Sequence, residues 1–376
     1  MCDKAGRKAV VDQMRRWVVG TTLAAVAAVG FVGLAGRAGA APPSSPPGPI
    51  GGHAMFTTAS WGSSHVSEFG PLTGTPSVPT WSGSFKYAAK TYNYQMVGTN
   101  PAAGSATTTV PTEILPLKVV MANGVVLTSS AATVEASPIF TKAKFTSGTT
   151  QLADAMQRSS FWSTVSTKAP NYHLLLAKPT VRPTVTIKVP SADGQGYTYN
   201  GIKYGYILYS WWQSELQTVI GQQNFSARSL PIIVSGNTFL YNGSTTNCCV
   251  YGFHGSYGQN TYAFTNWLSS GLVSGGQSDV YTLSHEISEW AADPYVDNFT
   301  PTWNQPSGAT CFSHLLEVGD PVEALSPPWY TIKIGTTTYR PSDIAGLSWF
   351  SRTSPSTGQN GGYSYNHYLS TSASYC

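Results

Sequence analysis

Charge is scarce in this chain: Asp, Glu, Lys and Arg make up 10% of its 376 residues, against about 25% in ordinary soluble proteins. An excess of one sign is missing as well. The formal +4 sits in the first forty residues, whose removal takes six of the 21 basic and two of the 17 acidic residues and leaves fifteen of each. A clustered basic footprint for nucleic acid is therefore excluded. A surface with few carboxylates gains little repulsion on acidification, which points to an extracellular, acid-tolerant protein. Cysteine is also rare, with five in all and no C-x-x-C pair, which argues against a cysteine-rich metal site. No G-x-S-x-G nucleophile elbow, internal repeat or heptad pattern is present.

What is there begins with a leader. Lys4, Arg7, Lys8, Arg15 and Arg16 precede a weakly apolar run over 18–36, and Ala38, Gly39 and Ala40 offer a small-residue cleavage site. This pattern predicts a signal peptide over 1–40, with Arg15-Arg16 matching a twin-arginine signal loosely. The expected product is a secreted monomer without stable membrane association. Residues 41–80 read as a Pro/Gly/Ser-rich linker or short pro-segment.

From 81 to 376 the chain reads as a single α+β domain with strands in the majority. Val, Ile, Thr and Tyr enrich the runs 112–120, 184–189, 230–234 and 262–267, bounded by turn residues. Helical spacing occurs over 151–165, 210–220 and 280–292. Asp293-Pro294 should close the last helix, because the residue before proline avoids the helical region.

That last helix carries His285-Glu286-Ile287-Ser288-Glu289. On a helix, His285 and Glu289 project from one face, as two ligands of one metal ion must. Glu286, offset by about 100°, can serve as general base toward a metal-activated water. This is the arrangement of the zinc-protease helix H-E-x-x-H with Glu in place of the second His. Chance would produce an H-E-x-x-E only about 0.003 times in a shuffled chain of this composition.

The surrounding charge map agrees. No Lys or Arg lies between Arg228 and Lys333, a window holding Asp279, Glu286, Glu289, Asp293, Asp297, Glu317, Asp320 and Glu323. Crowded carboxylates without cations repel one another unless they are solvated, protonated or neutralised by a bound cation. Four cysteines survive leader removal: Cys248, Cys249, Cys311 and Cys376. An even number in an exported chain predicts two disulfides. Bridging neighbours strains the backbone, so Cys248 and Cys249 are each expected to reach Cys311 or Cys376.

Several segments together resemble a family of exported microbial proteins with an HExxE motif followed by an E-x-G-D segment. They are 94–101, 107–111, 154–162, 252–258, 285–289 with Asp293-Pro294, and Glu317-Val318-Gly319-Asp320-Pro321. The second half is more distantly similar to the plant exordium, or phosphate-induced, extracellular proteins. Pro321 departs from the pattern, standing where an apolar residue followed by Cys is expected. The resemblance implies a secreted protein with a zincin-like metal site. The strand-like segments just ahead of the helix suit that architecture, in which an edge strand binds extended peptide by strand addition.

A catalytic zinc needs three protein ligands and an open position. His285 and Glu289 supply two, and Glu317 is the expected third, as a downstream Glu is in one large class of zinc peptidases. Asp320 is the runner-up, or an acceptor orienting His285. His254, His314 and Asp293 are further alternatives, though a lone His is more often structural. A site poor in His should keep its metal to lower pH, since carboxylates protonate near pH 4 and imidazole near about 6.5. Calcium prefers six to eight oxygens and would leave His285 without a role. The leading expectation is a zinc-dependent hydrolase, most simply an endopeptidase acting on a protein or peptide substrate. The alternatives are a non-catalytic extracellular protein associated with cell wall or carbohydrate, and a glycoside hydrolase using paired carboxylates.

Overall fold

The computed structural model describes residues 77–306 and 311–374. The expected signal peptide, most of the 41–80 segment and Cys376 lie outside the described residues. Val78 is already buried in the core, and the first hairpin begins at Thr80.

The fold is α+β. Its centre is a mixed sheet built on β1 (Thr112–Met121), β2 (Val185–Val189), β3 (Leu230–Gly236), β4 (Phe253–Tyr257) and β5 (Asn260–Trp267). The order is β2-β1-β3-β5-β4. The first three contacts are parallel, and β4 pairs antiparallel with β5. Two short strands, Val126–Thr128 and Thr180–Val181, add to β1.

Side-chain alternation sets the layers, because successive residues of a strand face opposite sides. Leu115, Ile233, Phe253 and Phe264 pack toward helix α2 (Tyr209–Gln223) with its Trp212, Leu216 and Ile220. Ile114, Ile232, Val234 and Ala263 face the other way. There they meet α1 (Leu152–Ser160) and α3 (Tyr281–Ala292), which contribute Met156, Leu283, Ile287 and Trp290. All three helices and the main strands fall where the periodicity predicts them, within a few residues. Because Phe253 faces α2, its neighbour His254 faces α3.

The tyrosines lie largely in packing. A four-stranded sheet (Gly194–Tyr199, Ile202–Leu208, Thr238–Tyr241, Cys248–Val250) buries Tyr197, Tyr204, Tyr206 and Tyr241 in one cluster with Tyr251. Motif residues near α1 are also structural. Gln157 donates to the carbonyls of Val97 and Ala291 and accepts from the Tyr172 hydroxyl. Arg158 donates to the carbonyls of Ser147, Pro170 and Tyr172.

The cysteine expectation is corrected. Cys248 and Cys249 are bonded to each other, across a cis peptide with their α-carbons 3.1 Å apart. Neighbouring side chains of a strand joined by a trans peptide point apart. The cis bond turns both to one side. Cys311 is also disulfide-bonded.

Candidate metal centre

Helix α3 is buried along all twelve of its residues, polar ones included. Its polar side chains are therefore tied down individually. Trp290 donates to Thr261 on β5 at 2.9 Å, Ser288 to the Ser284 carbonyl, and the Ser284 hydroxyl accepts the Ser342 N–H. Asp293 ends the helix with non-helical backbone angles (φ −146°, ψ 70°), as its proline neighbour favours. The Asp293 carboxylate accepts the N–H groups of Asp297 and Asn298 at 3.0 and 3.1 Å. It thus organises the exit turn and is occupied as a structural acceptor.

His285, Glu286, Glu289 and Asp320 are 0% exposed, Glu317 2% and His254 4%. Two sets of ligand atoms converge, and both use Glu289. In the first set, His285 Nε2 lies 3.1 Å from Glu289 Oε1 and 3.4 Å from Asp320 Oδ1. In the second, His254 Nδ1 lies 3.5 Å from both Glu286 Oε2 and Glu289 Oε2. Within each set the ligand atoms lie within 4.8 Å of one another.

The third-ligand question turns on the segment 317–320. Gly319 N–H donates to Glu289 Oε1 at 3.0 Å, docking this segment against the helix. Asp320 then faces His285, whereas Glu317 faces away, with Oε2 3.8 Å from His254 Nε2. Asp320, the runner-up in sequence, thus joins His285 and Glu289, and Glu317 stands beside His254. His314 lies outside both sets, stacked on exposed Phe299 with ring centroids 5.4 Å apart.

Three contributors were not singled out from sequence. Glu323 is buried in the same acidic group, and Gln305 donates to its Oε2 at 3.2 Å. Its spacing of three from Asp320 on the helical turn Asp320–Glu323 was the available signal. The other two are glycines that make room. A β-carbon on Gly252 would come 2.9 Å from Glu286 Oε1 and 2.7 Å from Thr282 Cγ2, and one on Gly319 would strike the His285 ring.

The buried charges need a neutralising partner. Six carboxylates (Glu286, Glu289, Asp293, Glu317, Asp320, Glu323) face two imidazoles, all of them buried. Burial alone would lower the imidazole pKa values. Instead, Glu317, Glu286 and Glu289 push His254 well up, and Glu289 and Asp320 do the same to His285. Burial raises Glu286 to about 8 and holds Glu317 and Glu323 well above the usual carboxylate range. Glu289 resists its burial because the two imidazoles flank it, and its carboxyl lies at about 2. Even with both imidazoles charged, the cluster keeps excess negative charge, which burial penalises unless protons or a metal neutralise it.

The donor set fits a metal. Imidazole nitrogen with carboxylate oxygen is a zinc set, and tetrahedral bonds of about 2.1 Å place ligands about 3.4 Å apart. The first set spans 3.1 and 3.4 Å. Among the described residues, both Glu286 oxygens, Glu289 Oε2 and Glu317 Oε2 are buried without a hydrogen-bond partner. The buried His and carboxylate groups can therefore hold a metal ion. No family model, curated protein or solved structure matches this chain.

Proposed function

We propose that this protein is a secreted zinc-dependent hydrolase of protein or peptide substrates. His285, Glu289 and Asp320 hold the metal and Glu286 acts as general base. The observation carrying this reading is the convergence of His285 Nε2 and Glu289 Oε1 of helix α3 with Asp320 Oδ1, on a helix that also carries Glu286. The resemblance to exported HExxE proteins points the same way. Zinc in that position would supply a Lewis acid that polarises a carbonyl and acidifies water.

The remaining roles belong to the chain. Glu286 sits one residue along the helix from His285, its oxygens without hydrogen bonds to other described residues, and accepts the proton of the attacking water. It then passes that proton to the leaving amine. Gly319 N–H fixes the orientation of Glu289. One imidazole with two carboxylates neutralises zinc more fully than three imidazoles would, so the base carries more of the activation.

A second reading is a non-catalytic protein that keeps its metal for structure. The complete burial of His285 and Glu286 favours it, since a peptide bond must reach the base. One set of measurements separates the two. Mature protein is assayed on denatured casein from roughly pH 3 to 8, spanning carboxylate and imidazole titration, alongside its metal content and thermal unfolding. For a hydrolase, Glu286→Gln lowers turnover by about 10²- to 10⁴-fold and retains the zinc. A wild type that holds zinc, unfolds on chelation and cleaves nothing supports the structural reading. Full activity in Glu286→Gln refutes the proposed mechanism.

A further inference from the structure

The second set of ligand atoms is not used by that mechanism as a set. His254 Nε2 lies 3.0 Å from the Asp293 carbonyl oxygen, an atom that only accepts. The hydrogen of a neutral imidazole therefore sits on Nε2, and Nδ1 presents a lone pair. That lone pair points into a space shared with Glu286 Oε2 and Glu289 Oε2, both 3.5 Å away. Three candidate ligand atoms thus face one another in a buried space.

Distance distinguishes what fills it. A charge-assisted hydrogen bond from a protonated His254 would draw one carboxylate to about 2.7–2.9 Å. Two equal separations of 3.5 Å are long for that bond. They match the edge of about 3.4 Å between ligands of a tetrahedral ion with bonds of about 2.1 Å. Glu286 supplies the independent observation. Its side chain is fully buried, neither oxygen has a hydrogen-bond partner among the described residues, and Oε2 is aimed at this point. Gly252 leaves the room in which that carboxylate lies.

We infer that His254, Glu286 and Glu289 form a second divalent transition-metal site, sharing Glu289 with the His285–Glu289–Asp320 site, and that its filling withdraws Glu286 from proton transfer. This rests on the proposed first centre and adds a regulatory ion to it. Glu289 turns Oε1 to the first site and Oε2 to the second, as a bridging carboxylate does. The second ion binds more weakly, because the charge of Glu289 is already shared and the two cations repel each other. Zinc that activates at low concentration then inhibits at higher concentration.

The test is a zinc titration of the metal-stripped full chain by equilibrium dialysis, with bound metal measured by elemental analysis. Wild type should take up two zinc ions per chain in separate steps, and His254→Gln one. A wild type saturating at one ion, with His254→Gln also binding one, overturns the second site and leaves the first intact. Two ions in both proteins mean that the second is adventitious, which also overturns it. No zinc in wild type sinks the proposed first centre as well. If His254→Gln does not fold, the cobalt-substituted wild type decides. Spin coupling between two cobalt ions, expected at the roughly 3.5–4 Å of a two-metal site, supports the bridge, and two uncoupled ions overturn it.

Discussion

The imidazole of His285 lies against Gly319, so closely that a β-carbon there would strike ring atoms Cε1 and Nδ1. Gly319 has an ordinary φ of −83°, so glycine is needed for space and not for backbone freedom. Gly319→Ala should therefore displace either His285 or the segment carrying Asp320. The expected result is lost zinc and a destabilisation of about 1–3 kcal/mol, typical of overpacking. Elemental analysis and thermal melts check it, and unchanged zinc content would show that the ring has another place to go.

Asp320 and Glu317 can be ranked by substitution. Asp320 Oδ1 faces His285 Nε2 at 3.4 Å, whereas Glu317 approaches only His254, at 3.8 Å. Asp320→Ala should weaken the tighter zinc step by at least tenfold, and Glu317→Ala should change it little. Calorimetric titration with zinc measures both. The opposite order would restore Glu317, the ligand expected from sequence.

Stability of the metal-free protein should fall as pH rises above about 5. Burial pushes Asp343 up to about 6 and Asp293 up to about 7, from an unfolded value near 3.9. A raised carboxyl pKa means that the fold binds the proton more tightly than the unfolded chain does. Its stabilising contribution is complete below about pH 3.9 and is lost as pH rises through the folded value. Glu286, Glu317 and Glu323 act in the same direction. So do His254 and His285, whose raised pKa values favour the fold below about 6.5 and cease to do so above their folded values. Glu289 opposes them only in acid, as pH falls from about 4.3 toward its folded value. Chelator-treated protein should therefore melt at lower temperature at pH 8 than at pH 5. Zinc should flatten this slope, since it displaces the same protons. A metal-free melting temperature that rises over this range would contradict the assignment of buried, protonated carboxyls.

The Cys248–Cys249 bond predicts a specific peptide map. Digestion of the protein without reduction should release one peptide containing both residues, lighter by two hydrogens and joined to no other. A peptide linking Cys248 or Cys249 to Cys311 would instead support the long-range bridges expected from sequence.

Much of this molecule was legible because its causes are local. Runs enriched in Val, Ile, Thr and Tyr placed the strands, and helical spacing put His285 and Glu289 on one face before any tertiary contact was considered. The absence of Lys and Arg around them marked the region where carboxylates would need another cation. What sequence left open depends on non-local docking. His254 enters the site because Phe253 turns to α2 and β4 pairs beside β5, which no spacing within 252–258 encodes. The edge strand Phe253–Tyr257 buries residues 253–256 and carries this imidazole inward. Glu317 and Asp320 are equivalent in composition and nearly so in position. The docking of segment 316–319, through Leu316 on Asn298, Val318 on Ala345 and Gly319 on Glu289, decides which of them meets His285. Helix periodicity is a property of one segment and can be read from it. The choice among carboxylates is made by a loop folding onto that helix, where those hydrogen bonds and a missing β-carbon fix the direction of each side chain.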